Sequence, residues 1–172
     1  MDDNLAVLIE QAQADIAELT RGLMAGDITT AVWRDELADT LATYHTAAYM
    51  LAADVDDIDA ATRAALEKTI DGQIGYLDAF AETINPSEWS DGIESRAASY
   101  GQALKGSWWQ GAVGDFDAPA YPGDGSTACL GNCGCSWEMR DDGAFWVRGK
   151  SDSCADCVQR EQDWAPYQGA SE

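Results

Sequence analysis

Apolar residues recur at helical steps through the first two thirds of the chain. Leu5, Leu8, Ile9, Ala12, Ile16, Leu19 and Leu23 form one stripe between Asn4 and Ala25, which predicts an amphipathic helix stopped by Gly26 and Asp27. Thr29 or Thr30 offers a side-chain oxygen to start a second helix. Its inward face reads Trp33, Leu37, Leu41, Tyr44, Ala48 and Leu51, and it ends near Asp54. The acid-rich turn from Asp54 to Asp59 suits the positive end of a third helix, which runs to about Thr83 with Ala65, Leu66, Ile70, Ile74, Leu77, Phe80 and Ile84 on its stripe. Gly72 and Gly75 each weaken that helix by about 1 kcal/mol relative to alanine, so close packing against a neighbour is expected there. Asn85-Pro86-Ser87 then breaks the chain before a fourth helix that presents Trp89, Ile93, Ala97, Tyr100 and Leu104.

Ile28, Trp33, Leu37, Tyr44 and Ala47 recur at one common offset as Ile84, Trp89, Ile93, Tyr100 and Ala103, which suggests two related helical hairpins. Four helices with short connections predict an antiparallel bundle. The pattern changes at Gly106, where glycines surround Trp108 and Trp109, and the stretch to Thr127 reads as a loop with a sharp turn at Tyr121-Pro122-Gly123-Asp124-Gly125. Trp137 and Met139 alternate before Asp141-Asp142-Gly143, and Phe145 and Val147 after it, as in a short β-hairpin. The expected fold is therefore mainly α, an antiparallel bundle of two helical hairpins over residues 1–115. A linker follows over 116–128, then a zinc-ribbon-like β-hairpin module over 129–160 and a tail over 161–172, anchored by aromatics near Trp164 and frayed beyond them.

Composition narrows the class. Apolar residues make up 46% of the chain, so it carries enough to build a core and is not of disordered type. Against 31 acidic residues stand 10 basic ones, a formal net charge of -21. Direct nucleic-acid binding is not expected from such a surface, because duplex affinity needs lysine and arginine to displace counterions. Two origins fit the acidity: adaptation to molar salt, where the Debye length falls to about 3 Å, or an acidic protein of ordinary salt. No run is long and apolar enough to suggest a membrane span, and the amino terminus opens on Asp2 and Asp3 rather than on a basic signal, so synthesis in a cytoplasm is expected.

All five cysteines lie between Cys129 and Cys157, spaced C-x3-C-x-C and, after the hairpin, C-x2-C. Two cysteine turns flanking a hairpin are the arrangement of a zinc ribbon or knuckle, so the candidate metal ligands are Cys129, Cys133, Cys135, Cys154 and Cys157, and the expected cofactor is structural zinc. Cys133, Cys135, Cys154 and Cys157 form one possible set, with Cys129 competing for either of the first two places. Reduced or disulfide-paired cysteines are the plain alternative, and an iron–sulfur cluster lacks a recognised ferredoxin spacing. A redox pair at Cys154 and Cys157 would need a reactive thiolate of low pKa.

Other chemistry has little support in the pattern. His45, the sole histidine, sits mid-helix with no local nucleophile or second base, which points to a packed or surface residue. Asp56-Asp57 and Asp141-Asp142 read as solvated turns, and Asp115 with Asp117 lacks the rest of a calcium loop. A binding or structural protein is expected, not an enzyme. Trp108, Trp109, Trp146 and Trp164 exceed what so small a module is expected to bury, which suggests that some face a partner.

Two stretches carry a resemblance. Gly26-Asp27-Ile28-Thr29-Thr30-Ala31-Val32-Trp33, with Tyr44-His45-Thr46-Ala47-Ala48-Tyr49 downstream, resembles the helical part of tailed-virus minor head, or head morphogenesis, proteins. Ala120-Tyr121-Pro122-Gly123-Asp124-Gly125-Ser126-Thr127, followed by Cys129 to Trp137 and Cys154-Ala155-Asp156-Cys157, is similar to the cysteine-bearing carboxyl-terminal segment of such proteins. The resemblance implies a structural virion component that docks on capsid or portal subunits. It implies a place in the virion and, during assembly, in the host cytoplasm, with a homo-oligomer as a further expectation. The five cysteines would bind metal or fix the terminal module. A cellular zinc-ribbon adaptor that binds a protein partner is the alternative.

Overall fold

The computed structural model describes residues 2–84, 91–114, 116, 118–149 and 153–167. Its elements are α1 (Asp3–Ala25), α2 (Thr30–Ala53), α3 (Ala60–Thr83), α4 (Asp91–Ser99), a 3-10 turn (Tyr100–Ala103), α5 (Leu104–Ala112), a second 3-10 turn (Leu130–Asn132), strands β1 (Ser136–Arg140) and β2 (Gly143–Val147), and α6 (Ala155–Asp163). The chain is mainly helical, a bundle with a small antiparallel hairpin and a cysteine cluster beside it.

Local chemistry sets the helix ends. The Asp2 carboxylate accepts from the amides of Asn4 and Leu5 to start α1, and Gly26, at φ 79°, closes it in the left-handed conformation that glycine adopts at least cost. Thr29 caps α2 by accepting from the Val32 amide, and Asp59 caps α3 by accepting from the Thr62 amide at 2.7 Å. Asp54 ends α2 at φ 54°.

The helix expected to run through Leu104 is broken. Its first part is α4, which lies mainly along α1; after the 3-10 turn at Tyr100 the chain enters α5, which packs along α2. The proposed correspondence with α2 therefore does not hold locally past Ser99, because α2 is one unbroken helix of 24 residues. Trp89 and the Asn85-Pro86-Ser87 break lie outside the described residues. α2 becomes the central helix, in contact with α1, α3 and α5.

The main core gathers Ile16, Leu23, Trp33, Leu37, Leu41, Leu77, Phe80, Ala97 and Tyr100, and a second cluster gathers Leu5, Ile9, Ala12, Ala48 and Leu104. Two polar groups are closed inside the bundle. Thr20 donates to the Ile16 carbonyl at 2.8 Å and accepts from the Trp33 indole N–H at 3.2 Å, so the buried ring has its one donor satisfied across α1 and α2. His45 is fully buried on α2, and Tyr44, partly buried against the second cluster, donates to the Asp15 carboxylate at 2.6 Å. That bond, together with burial, lifts the Tyr44 hydroxyl to about 12, burial being the larger cause.

The glycines divide by environment, against expectation. Gly72 and Gly75 are exposed, and a methyl group at either would meet nothing within 4 Å. The close approach lies elsewhere: a methyl at Gly111 would collide with the Tyr49 carbonyl oxygen, so glycine there lets α5 lie directly on α2.

The hairpin is present where the alternation places it, and its register decides which side chains face inward. Its two-residue turn pairs Trp137 with Trp146, Met139 with Ala144 and Glu138 with Phe145. Cross-strand partners share a face, so odd positions of β1 sit with even positions of β2. Trp137, Ala144 and Trp146 face inward and are buried, whereas Phe145 lies on the other face under the Arg140 guanidinium at 4.2 Å. Trp146 is 1% exposed and belongs to the module's own core instead of facing a partner. Residues after α6 fold back on this core: Tyr167 exchanges two backbone hydrogen bonds with Ala144, and Trp164 stacks on Trp137 with ring centroids 5.8 Å apart. Phe116 and Tyr121 pack on the same cluster.

Candidate metal centre

The first cysteine turn is shaped by Asp124. Its carboxylate accepts from the amides of Tyr121 at 2.7 Å and Ser126 at 2.8 Å and from the Ser126 hydroxyl, which closes the loop ahead of Cys129. The second 3-10 turn then carries the chain from Cys129 to Cys133. It sits directly on the first 3-10 turn of the bundle: a methyl at Gly131 would stand 2.9 Å from the Ala103 nitrogen. The first cysteine turn and the bundle are thus one packed unit at this point.

The second cysteine turn opens α6. Cys154 is its N-cap residue and Cys157 lies in its first turn, where the unpaired amides and the helix dipole favour negative charge on sulfur. α6 is held over the first turn by Asp156, which accepts from the Ala128 amide at 2.8 Å, and by Arg160, which donates to the Ser126 carbonyl at 3.1 Å and to its hydroxyl at 3.0 Å. The Arg160 guanidinium also lies over the rings of Trp146 and Trp164, at 5.1 and 4.9 Å from their centroids.

All five sulfurs meet in this space. Cys129 lies 3.6 Å from Cys154 and 3.8 Å from Cys157, and Cys133 lies 3.7 Å from Cys157. Thiolates at about 2.3 Å from a tetrahedral ion stand about 3.8 Å apart, so each of these pairs is spaced as two sulfurs that share an ion would be. They are also far longer than a disulfide bond, and all five cysteines are free thiols. The cluster resolves into two groups whose sulfurs lie within 4.8 Å of one another: Cys129, Cys154 and Cys157, and Cys133, Cys135 and Cys157. The set Cys133, Cys135, Cys154 and Cys157 is accordingly divided, with Cys154 in the first group, Cys133 and Cys135 in the second, and Cys157 in both.

Electrostatics makes a cation the natural occupant. Burial pushes the Cys157 and Cys129 thiols up, and Cys133 is raised by its hydrogen bond to Cys135 and by burial. Cys135 is lowered, first by the hydrogen bond from Cys133 and then by the Gly149 amide. Burial also pulls Cys154 upward, but its hydrogen-bonding contacts with the Cys157 amide and with the Cys157 and Cys129 sulfurs outweigh it and bring Cys154 down to about 7. Five sulfurs so packed cannot all ionise without a positive charge among them. A close cysteine cluster of this kind can hold a metal ion. The nearby Lys105 ammonium is half-buried, which lowers its pKa, while Cys133 and Cys129 act to raise it.

Sequence reasoning missed Ser107 as a partner of His45. The His45 Nδ1 stands 2.7 Å from the Ser107 Oγ, but both residues are 0% exposed, so the pair joins α2 to α5 out of reach of any substrate. Helical phase could have found it, since Ser107 lies one turn beyond Leu104 on the same face. Asp115 and Asp117 lie outside the described residues. Among the described residues no helix is long and apolar enough to cross a membrane. A scan against protein-family models and searches of curated proteins and of solved structures found no match, so the resemblance to minor head proteins rests on its motifs alone.

Proposed function

We propose that the chain is a non-enzymatic structural protein in which zinc, held by the cysteine cluster, fixes a small hairpin module rigidly to a helical bundle, so that the two dock together on other protein subunits. The observation that carries this reading is the convergence of sulfurs from both ends of the module beside a turn seated on the bundle. Zinc suits an all-thiolate donor set, and its binding energy becomes folding energy in a module with so small a core. With a net charge of -21 the surface suits a protein partner bearing basic groups better than packaged nucleic acid.

On the resemblance of its motifs, the setting we favour is the head of a tailed virus, with the chain incorporated as a minor component during assembly in the host cytoplasm. The test is quantitative mass spectrometry of particles purified from cells that make the protein. Peptides of this chain should co-purify with capsid and portal subunits at a fixed low ratio through successive density gradients. Recovery only in the particle-free fraction would contradict the head assignment and favour a cellular adaptor.

A further inference from the structure

Five sulfurs are one more than a tetrahedral structural site uses, and their grouping is informative. Around a single ion, four sulfurs would all be neighbours of one another. Here the groups Cys129, Cys154 and Cys157 and Cys133, Cys135 and Cys157 have Cys157 as their one common member, which is 0% exposed and 3.8 Å from Cys129 on one side and 3.7 Å from Cys133 on the other. A thiolate has lone pairs enough to bind two cations, and this one sits where two three-sulfur sites meet.

Each group has its own scaffold. Cys154 and Cys157 share the first turn of α6, opposite Cys129 at the end of the Asp124 loop. Cys133 and Cys135 flank Gly134, against whose carbonyl Gly149 packs so closely that no side chain fits at 149. The second group also borders a cavity of about 530 Å³, lined by Lys105, Trp108, Trp109 and Asp2 together with Cys133 and Cys135. A three-thiolate ion there has a solvent-reachable place for its fourth ligand.

We propose that the cluster binds two divalent metal ions, one held by Cys129, Cys154 and Cys157 and the other by Cys133, Cys135 and Cys157, with the Cys157 thiolate bridging them. This rests on the reading of the cluster as a metal site given above. Water or another small donor from the cavity completes the second ion.

The test is titration of the reduced, metal-free full-length chain with Cd²⁺ under anaerobic conditions, read by sulfur-to-metal charge-transfer absorbance, with native mass spectrometry counting the ions. Carboxylate-bound ions on the acidic surface give no such band, so the signal counts sulfur-bound metal alone. The expected result is a break at two equivalents and two ¹¹³Cd resonances that couple to each other through the shared sulfur. Cys135→Ser and Cys154→Ser should each shift the break to one equivalent. A wild-type break at one equivalent, unchanged in Cys135→Ser, would overturn the bridged pair while leaving the single-site reading intact. Absence of any charge-transfer band would remove both.

Discussion

The Nδ1 of His45 and the Oγ of Ser107 lie 2.7 Å apart in the interior of the bundle, joining the central helix α2 to α5 at a point where neither residue meets solvent. Burial lowers the imidazole to about 4, so the fold holds it neutral. The ordinary value in an unfolded chain is about 6.5. With the folded value below the unfolded one, the contribution is complete above about pH 6.5 and is lost as pH falls towards 4. We expect urea midpoints to fall over that window by an amount worth up to about 3 kcal/mol, and His45→Gln to remove that part of the slope. An equal slope in the variant would place the acid sensitivity elsewhere.

Thr20 offers a cleaner probe of the α1–α2 contact. Thr20→Val keeps the shape but leaves the Trp33 indole N–H, on a ring with 0% exposure, without its acceptor. The loss should be about 1–3 kcal/mol, the usual penalty for a buried unsatisfied donor. Chemical denaturation with an unchanged m-value would measure it, and a neutral result would mean the indole finds another partner.

The glycines of the bundle should split in sign. Gly72→Ala and Gly75→Ala meet open space on exposed helix and should each stabilise by about 0.5–1 kcal/mol. Gly111→Ala drives a methyl into the Tyr49 carbonyl and should destabilise by about 1–3 kcal/mol. Melting temperatures of the three variants settle the matter, and a stabilising Gly111→Ala would contradict the α2–α5 contact.

Salt should raise stability. The described ion pairs, Arg34 with Asp78 at 2.6 Å and Arg148 with Glu161 at 2.6 Å among them, are partly or fully exposed, and such pairs contribute at most about 1 kcal/mol each. The remaining acids of a chain at net -21 repel one another, and salt screens that repulsion. The melting point should therefore climb steadily from about 0.1 M to about 1 M KCl, where the Debye length shortens from about 10 to about 3 Å. A flat profile would remove adaptation to high salt as the origin of the acidity.

Helix existence and most helix ends were legible in the sequence because stripes such as Leu5 to Leu23 and caps such as Thr29 and Asp59 are local signals. The break at Tyr100 was not, since nothing near it in sequence reports that α4 must follow α1 while α5 follows α2. Alternation within each hairpin strand was legible, but which parity meets which depends on turn length, and a two-residue turn sets Trp137 opposite Trp146. Gly72 and Gly75 misled because a helical glycine looks the same whether it is packed or idle. The cysteines were found by spacing. Their division around Cys157 was not, because it depends on how α6 is laid over the Asp124 loop by Asp156 and Arg160, contacts between residues about thirty positions apart.

Metal in the cysteine cluster is most directly measured as the metal content of the freshly purified, folded chain, paired with the alkylation rate of its five thiols before and after a chelator. We expect zinc bound at the cluster, slow alkylation, and a rise to fast reaction of all five cysteines on chelation, with the Trp137–Trp146–Trp164 fluorescence shifting as the module loosens. A folded, metal-free protein whose thiols react at one rate with or without the chelator would contradict it.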